Sequence, residues 1–419
     1  MNNYKVLFIG GLYPKDHEKE IIGNIKRNPA LAANTFQWGL VTGLDSHLTS
    51  PVTILNETFI GSYPKNYRKI LFHGYKFNHC EGAEDIALSF INLTGIKNLI
   101  CPFKEKKHIK KWLTKNRNDN IVVFFYGLSP AFIRTVRFIK KYFPNVSIVV
   151  DILDLIEYTA MTKRQERSII RKWLKSRSIK GATKALRYID GAVVVSPQII
   201  NRLNLDTDYT VVECVVESSD EPFKPIDEKR KSIVYAGSLT SKYGVLDLIH
   251  AFINSQLLDY TLDIFGDGED RKIVEDYSKK YNNIFYHGFV SHDKIDEILT
   301  NANILINPRK SGQEFTNYSF PIKTADYLKA GRPVLGYRLE AFPPEYDEHI
   351  IYIDDFIDMS AAIKFICAKP VSELNAIGKS NYEFIKYAKN SLTQTYKIIK
   401  LFDRIYDRKN RSSDNKKEM

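Results

Sequence analysis

The sequence predicts an α/β chain of two doubly wound, Rossmann-like domains facing each other across a cleft. Short apolar runs alternate with helical patterns along most of the chain, the signature of parallel sheets with crossover helices. A polar stretch holding two prolines, "ESSDEPFKPIDEKRKS", interrupts the alternation near the middle, after which the pattern restarts. With 419 residues the chain also exceeds what one ordinary core accommodates.

In the first half the apolar runs place strands at 5–10, 52–55, 70–73, 121–126, 147–151 and 191–195, with helices such as "SPAFIRTVRFIKKYF" between most of them. In the second half "SIVYAG", "YTLDIFGDG", "NIFYHG" and "NILINP" are the strands. Val245, Leu248, Ile249 and Phe252 draw one face of a helix after the first of these, and Ser291 caps a helix before the last. The expected division is a first domain over 1–216, a linker over 217–230 and a second domain over 231–380. A single long helix over 381–405 then returns to the first domain, followed by a disordered tail over 406–419. There is no internal repeat of fixed period.

Composition excludes several classes. The chain is 44% hydrophobic and 12% aromatic, as globular proteins are, and no apolar run reaches the ~18 residues of a membrane span. The opening "MNNYKVLFIGGLYPK" has too few apolar residues for a signal peptide and reads as a first buried strand. Cys80, Cys101, Cys214 and Cys367 lack paired spacing, so neither a disulfide framework nor a zinc site is expected, and a reducing cytoplasm fits.

Charge is unevenly distributed. Residues 1–225 hold 33 Lys and Arg against 21 Asp and Glu, whereas the remainder holds 28 of each. Much of the excess lies in 104–117, with seven basic residues and one acid, and in 163–180, with eight and one. Each stretch carries a tryptophan, Trp112 or Trp173, beside Leu and Ile. Cations mixed with apolar residues at helical spacing suit a helix lying on an anionic membrane surface; the plainer alternative is a core helix with a solvated basic face. A nucleic-acid partner is not expected, because no recognition motif accompanies the charge.

Ligands of doubly wound sheets bind at the carboxyl ends of the strands, so the chemistry is sought there. Gly237-Ser238 follows "SIVYA" and precedes a helix, with Lys242 in the same loop. A glycine there would let backbone amides approach a phosphate, although a plain turn reads equally well. In "YSFPIKTADYLKAGRPV" Ser319 is the expected N-cap and Pro321 lies in the first turn. Ser319, Lys323 and Asp326 would then share one helix face over roughly 10 Å, at ~1.5 Å per residue. Amides and Lys323 would hold a diphosphate, and Asp326 would accept from ribose hydroxyls; the alternative is a solvated surface pair.

The ordered fragments "SIVYAGSLTSKYGVLDLIHAFI", "LDIFGDGED", "FYHGFV", "ILINPRKSGQEFTNYSFPIKTADYLKAGRPVL" and "LEAFPPEYDEHI" resemble the donor-binding domain of retaining, two-domain (GT-B fold) glycosyltransferases. The type is that of family 4, found in bacterial capsule and exopolysaccharide gene clusters. In the first half, "YGLSPAFIRTVRFIKKYFP" and "VVDILDLIEY" resemble the acceptor domain of the same enzymes. The resemblance places Asp326 at the ribose-binding carboxylate, Phe289 and Val290 against the nucleobase, and Gly10 and Gly11 in a glycine loop lining the cleft. Where such enzymes have a basic pair after the first strand's turn, this chain has Ser238 and Tyr243, with Lys242 beside the second. Where they have a first carboxylate it has Tyr318; Glu314 is the substitute, with Arg309 and Lys323 supplying positive charge.

The resemblance implies retaining, hexosyl-type transfer from a UDP- or GDP-sugar to a lipid-linked saccharide during surface polysaccharide assembly. It implies a peripheral protein on the inner face of the cell membrane and no cofactor. The leaving diphosphate would be stabilised by amides and cations; neither an Asp-x-Asp pair nor a His-x-x-x-His helix offers a metal site. Two alternatives stay open: a sugar-nucleotide epimerase of the same fold, and a non-catalytic nucleotide-sugar-binding relative.

Overall fold

A computed structural model of the chain describes residues 3–27, 29–155, 157, 169–217, 221–290, 292–312 and 314–414. The chain divides into two compact units, Met1–Val215 with Ser391–Met419, and Val216–Asn390.

Unit 1 is built on ten strands: β1 (Tyr4–Gly10), β2 (Thr53–Asn56), β3 (Leu71–Phe72), β4 (Tyr75–Phe77), β5 (Asp85–Ala87), β6 (Phe90–Ile91), β7 (Asn120–Tyr126), β8 (Ser147–Ile152), β9 (Gly191–Val194) and β10 (Asp208–Val211). Eight form one sheet in the order β10-β9-β8-β7-β1-β2-β5-β4, parallel except for the β4–β5 edge. Central strands such as β7 are apolar at nearly every position because both faces are covered. The helices Leu31–His47 and Ser391–Asp414 cover one face, where Phe36, Leu40 and Leu44 meet Ile398, Phe402 and Ile405. A methyl group at Gly43 would lie 2.4 Å from the Ser391 carbonyl, so these two helices pack backbone against backbone.

The expected strand at 70–73 is only the two-residue β3, which pairs antiparallel with β6 outside the main sheet. The helix expected over 381–405 is two helices, Val371–Ala388 and Ser391–Asp414. The break falls at Lys389, whose ammonium is drawn into the interior by Glu345 and the rings of Tyr346 and Phe384. The second helix runs to Asp414, through much of the stretch expected as a disordered tail; 415–419 lie outside the described residues.

Unit 2 has six parallel strands, β11 (Ser232–Ala236), β12 (Thr261–Phe265), β13 (Ile284–Gly288), β14 (Ile304–Asn307), β15 (Val334–Gly336) and β16 (Ile351–Tyr352), in the order β13-β12-β11-β14-β15-β16. Leu248, Phe252, Val274, Met359 and Ile363 from three helices cover one face. The stretch expected as a linker packs into this unit. Ile226 is in its core, the Ile226 amide donates to Asn375 Oδ1 (2.7 Å), and the buried Arg332 donates to the Lys224 carbonyl (2.8 Å). Among the described residues no helix is long and apolar enough to cross a membrane.

Candidate functional site

From β11 the chain winds outward to β12 and β13, then returns to place β14 on the other side of β11. The topological switch point of unit 2 therefore lies at the carboxyl ends of β11 and β14, where such sheets bind ligands. The helix Ile322–Lys329 is anchored there by two of its own residues. Tyr327 Oη accepts from the Ala236 amide (2.9 Å) and donates to the Ala236 carbonyl (3.1 Å), completing the end of β11. Thr324 Oγ1 accepts from Asn307 Nδ2 (3.2 Å) at the end of β14.

Lys323 shares this inward face, and its ammonium is tucked against Gly237. A methyl group at Gly237 would lie 1.9 Å from Lys323 Nζ. The same ammonium stands over the Tyr235 ring, 5.5 Å from its centroid. Burial, together with the charge of Arg309, pushes Lys323 down to about 8, against the opposing pull of Asp326 one helical turn on. A lysine so placed is poorly solvated and gains from an incoming anion.

Two more cations gather at this end of the sheet. Lys242 lies in the 3-10 turn Ser241–Tyr243, which Gly244 brings close to the end of β14. Gly244 has φ +81°, and a methyl group on it would meet the Pro308 carbonyl at 2.2 Å, so the approach requires glycine. Lys242 Nζ and Arg309 Cζ stand 3.8 and 4.8 Å from the centroid of the Phe315 ring, in the 3-10 turn Glu314–Asn317. Stacking on an aromatic face holds each cation at this end of the sheet. Arg309 is buried. Sequence reading missed Phe315, Tyr327, Thr324 and Asn307, since aromatic and hydroxyl side chains in short turns carry no periodic signal.

The expected Ser319 cap is not formed. Pro321, at φ −78° and ψ 90°, is the N-cap and the helix begins at Ile322. A residue preceding proline is disfavoured in the helical region, so Phe320 and Ser319 stay outside. Lys323 and Asp326 share a helix face, three residues apart, and Ser319 does not. The Gly237 amide is also committed, donating to the Phe265 carbonyl at 2.8 Å. The absence of a side chain at Gly237 makes room for the Lys323 ammonium.

Of the other expected positions, Ser238 accepts through its carbonyl from Tyr235 Oη (2.9 Å), Glu314 opens its turn exposed to solvent, and Asp326 is half-buried. Phe289 is 74% exposed just after β13, with Val290 half-buried beside it. Gly10 and Gly11 belong to unit 1. Their surroundings are already filled: methyl groups there would lie 2.4 Å from Gln37 Oε1 and 1.8 Å from the Phe59 ring, respectively. The Gly11 amide donates to the buried Gln37 at 2.7 Å. At the carboxyl end of β8, Asp151 is fully buried with neither oxygen hydrogen-bonded, and burial pushes its carboxyl well above the usual carboxylate range.

Residues 217–351 match the family model described as glycosyl transferases group 1. Among solved structures, the chain resembles a sucrose-phosphate synthase from Thermosynechococcus elongatus at 14% identity and a TM-score of 0.62, over 96% of this chain and 99% of that one. It resembles the apo form of the lipopolysaccharide outer core galactosyltransferase WaaB at 14% identity and a TM-score of 0.61, with the same coverages. A third likeness is to a UDP-forming α,α-trehalose-phosphate synthase from Burkholderia xenovorans solved with glucose-6-phosphate, at 10% identity and a TM-score of 0.59, over 95% and 100%. No curated protein matches the sequence. At these identities the likenesses establish architecture: the chain has the GT-B fold of two Rossmann-like domains.

Proposed function

We propose that the protein is a glycosyltransferase that moves a sugar from a nucleoside-diphosphate donor to a saccharide acceptor. The observation that carries this is the gathering of Lys242, Arg309 and Lys323 at the switch point of unit 2, with Asp326 one turn beyond Lys323. The cations hold the donor diphosphate and stabilise the charge that grows on it as the glycosidic bond breaks. Asp326 accepts from the ribose, the exposed Phe289 and neighbouring Val290 lie against the base, and Glu314 with Lys323 and Arg309 faces the transferred sugar. Ser238 and Ser319 border the diphosphate as polar side chains. Transfer with retention in the manner of family 4, and a role in capsule or exopolysaccharide assembly, complete the reading.

The acceptor is lipid-linked and unit 1 carries the membrane-facing surface, on the inner face of the cell membrane. In the helix Ile96–Lys115, Cys101, Glu105, Ile109 and Leu113 turn inward, while Ile96, Leu99 and Phe103 are exposed beside Lys106, Lys107 and Lys110. In the helix Ile169–Leu186, Trp173 and Leu174 are exposed among cations, and Arg177 stacks on Trp173 at 5.4 Å. Exposed apolar side chains ringed by lysine and arginine fit an anionic bilayer surface. Residues 163–168 of the second basic stretch lie outside the described residues.

The test is calorimetric titration of UDP, GDP and CMP into the protein and into Asp326→Ala. Selective binding of one nucleoside diphosphate, weakened in the variant, supports the reading; binding of none removes it. Tyr318, where related enzymes have a carboxylate, favours a second reading as a non-catalytic binder. Glu314→Ala with unchanged nucleotide affinity but no turnover would exclude that binder. Conversion of the sugar nucleotide with no acceptor present would instead identify an epimerase.

A further inference from the structure

A second group of side chains, in unit 1, has the composition of a transition-metal site. Asp45 lies in the last turn of the helix Leu31–His47, His79 and Cys80 lie in the turn after β4, and Asp85 opens β5. The His79 ring is held on both sides, with Nδ1 2.6 Å from Asp85 Oδ2 and Nε2 2.9 Å from Asp45 Oδ2. Asp85 is fixed in turn, accepting from the Ile54 amide (2.8 Å) and the His79 amide (2.9 Å). Asp45 Oδ1 accepts from the Val52 amide (2.7 Å). The imidazole is 5% exposed and the Asp85 carboxylate 0%, whereas Asp45 is 20% exposed and Cys80 faces solvent. One ligand atom each from Asp45, His79 and Cys80 lie within 4.8 Å of one another.

We infer that Asp45, His79 and Cys80 bind a thiophilic divalent transition ion such as Zn²⁺, with Asp85 orienting the imidazole from its far side. Zinc takes imidazole nitrogen and carboxylate oxygen at about 2.0–2.2 Å and thiolate at about 2.3 Å, usually in a tetrahedron. Ligand atoms of such a tetrahedron stand roughly 3.2–3.6 Å apart, so the existing 2.9 Å between His79 and Asp45 opens by a few tenths of an ångström. A carboxylate on the second ring nitrogen is the usual outer partner of a metal-bound histidine, and Asp85 supplies it already in place. The thiol selects against magnesium and calcium, which prefer all-oxygen sites. Three protein ligands leave the fourth position to water. On binding, the ion replaces the proton between Nε2 and Asp45 and the thiol proton of Cys80, so two protons leave and the net charge is unchanged.

The group sits at the amino ends of β2 and β5, the sheet edge opposite Gly10 and Gly11. The ion therefore clasps the end of a helix to the β4–β5 hairpin and takes no part in sugar transfer. Sequence spacing conceals the site because Asp45 precedes His79 by 34 residues.

The experiment is titration of the chelator-treated full chain with Co²⁺, followed by optical absorption. One equivalent should produce a thiolate-to-cobalt band in the near ultraviolet and visible bands of tetrahedral strength, both abolished by added Zn²⁺. Cys80→Ser should lose the thiolate band while its metal-free thermal transition matches that of the native chain, and Cys367→Ser should keep it. Asp85→Asn should keep the band but weaken cobalt binding by about 10–100-fold. Absence of a thiolate band at one equivalent, or a band that persists in Cys80→Ser, overturns the assignment.

Discussion

At the end of β1 in unit 1, Gly10 and Gly11 are closed over by Gln37 and Phe59, and the carboxyl of the buried Asp151 is pushed up by burial. At the end of β11 in unit 2, Gly237 is met by a lysine ammonium, with two more cations stacked on Phe315. The two units share one architecture, and at the same place in it one is closely packed while the other gathers cations. Bulk charge points the opposite way. Residues 1–225 carry the whole net charge of +12, and the remainder is balanced. Charge spread over a surface sets what the protein is drawn to; chemistry depends on a few charges held where water is scarce.

The sharpest break between the units comes from Lys323→Met. Nucleoside diphosphate affinity should fall about 10–100-fold, the worth of a charge-assisted bond at ~1.5–3 kcal/mol, with the thermal transition retained. Calorimetry checks it, and unchanged affinity would place the diphosphate elsewhere. Next come the two glycines. Gly11→Ala must displace the Phe59 ring and should cost about 1–3 kcal/mol in urea unfolding. Gly237→Ala displaces the far end of a lysine, so it should cost less in stability but lose nucleotide binding. Equal effects of both substitutions on both measurements would erase the distinction.

Smaller effects should appear in pH dependence, with opposite signs. Burial and the neighbouring Glu57 push Glu105 of unit 1 up to about 8, against 4.5 in the unfolded chain. Folding therefore retains a proton that the unfolded chain has lost, and this group lowers stability progressively as pH rises from 4.5 to 8. Glu105→Gln should unfold at higher urea than the native chain at pH 8 and show little difference at pH 4. Lys323 of unit 2, held near 8 against 10.5, does the reverse: its contribution to stability improves as pH rises from 8 to 10.5. The same lysine must be charged to hold a diphosphate, so nucleotide affinity should decline above pH 8, and Lys323→Arg should flatten the decline. The smallest change to the folded chain is expected from Trp173→Ser, which should shift stability by no more than about 0.5 kcal/mol. Its effect should show as weaker sedimentation with anionic vesicles.

The long buried strands were legible because a strand covered on both faces has to be apolar throughout, as in β1, β7 and β11. β3 was expected longer, over 70–73, and β4, β5 and β6 were not expected, since two or three residues carry no period and β4 and β5 are specified by their pairing at the sheet edge. The stretch 381–405 was expected as one helix, because the interruption depends on partners of Lys389 at Glu345 and Tyr346, remote in sequence. That Lys323 and Asp326 share a helix face was legible from their spacing. Ser319 was misplaced because the restriction that Pro321 imposes on its predecessor outweighed the capping preference of serine. Phe315 could not be found, as its two cations come from different loops and only the fold brings them to one ring.

The last helix bears on how the chain is made. Ile398, Ile399, Leu401, Phe402 and Ile405 belong to the core of unit 1, although they follow all of unit 2 in the chain. Unit 2 has all its residues once Asn390 has left the ribosome, whereas the first 215 residues wait with part of one sheet face uncovered. The later half of the sequence can therefore finish folding first. Until the last segment arrives, the nascent first half exposes apolar surface of the kind chaperones bind. A premature stop near residue 390 would spare unit 2 and leave unit 1 without part of its core.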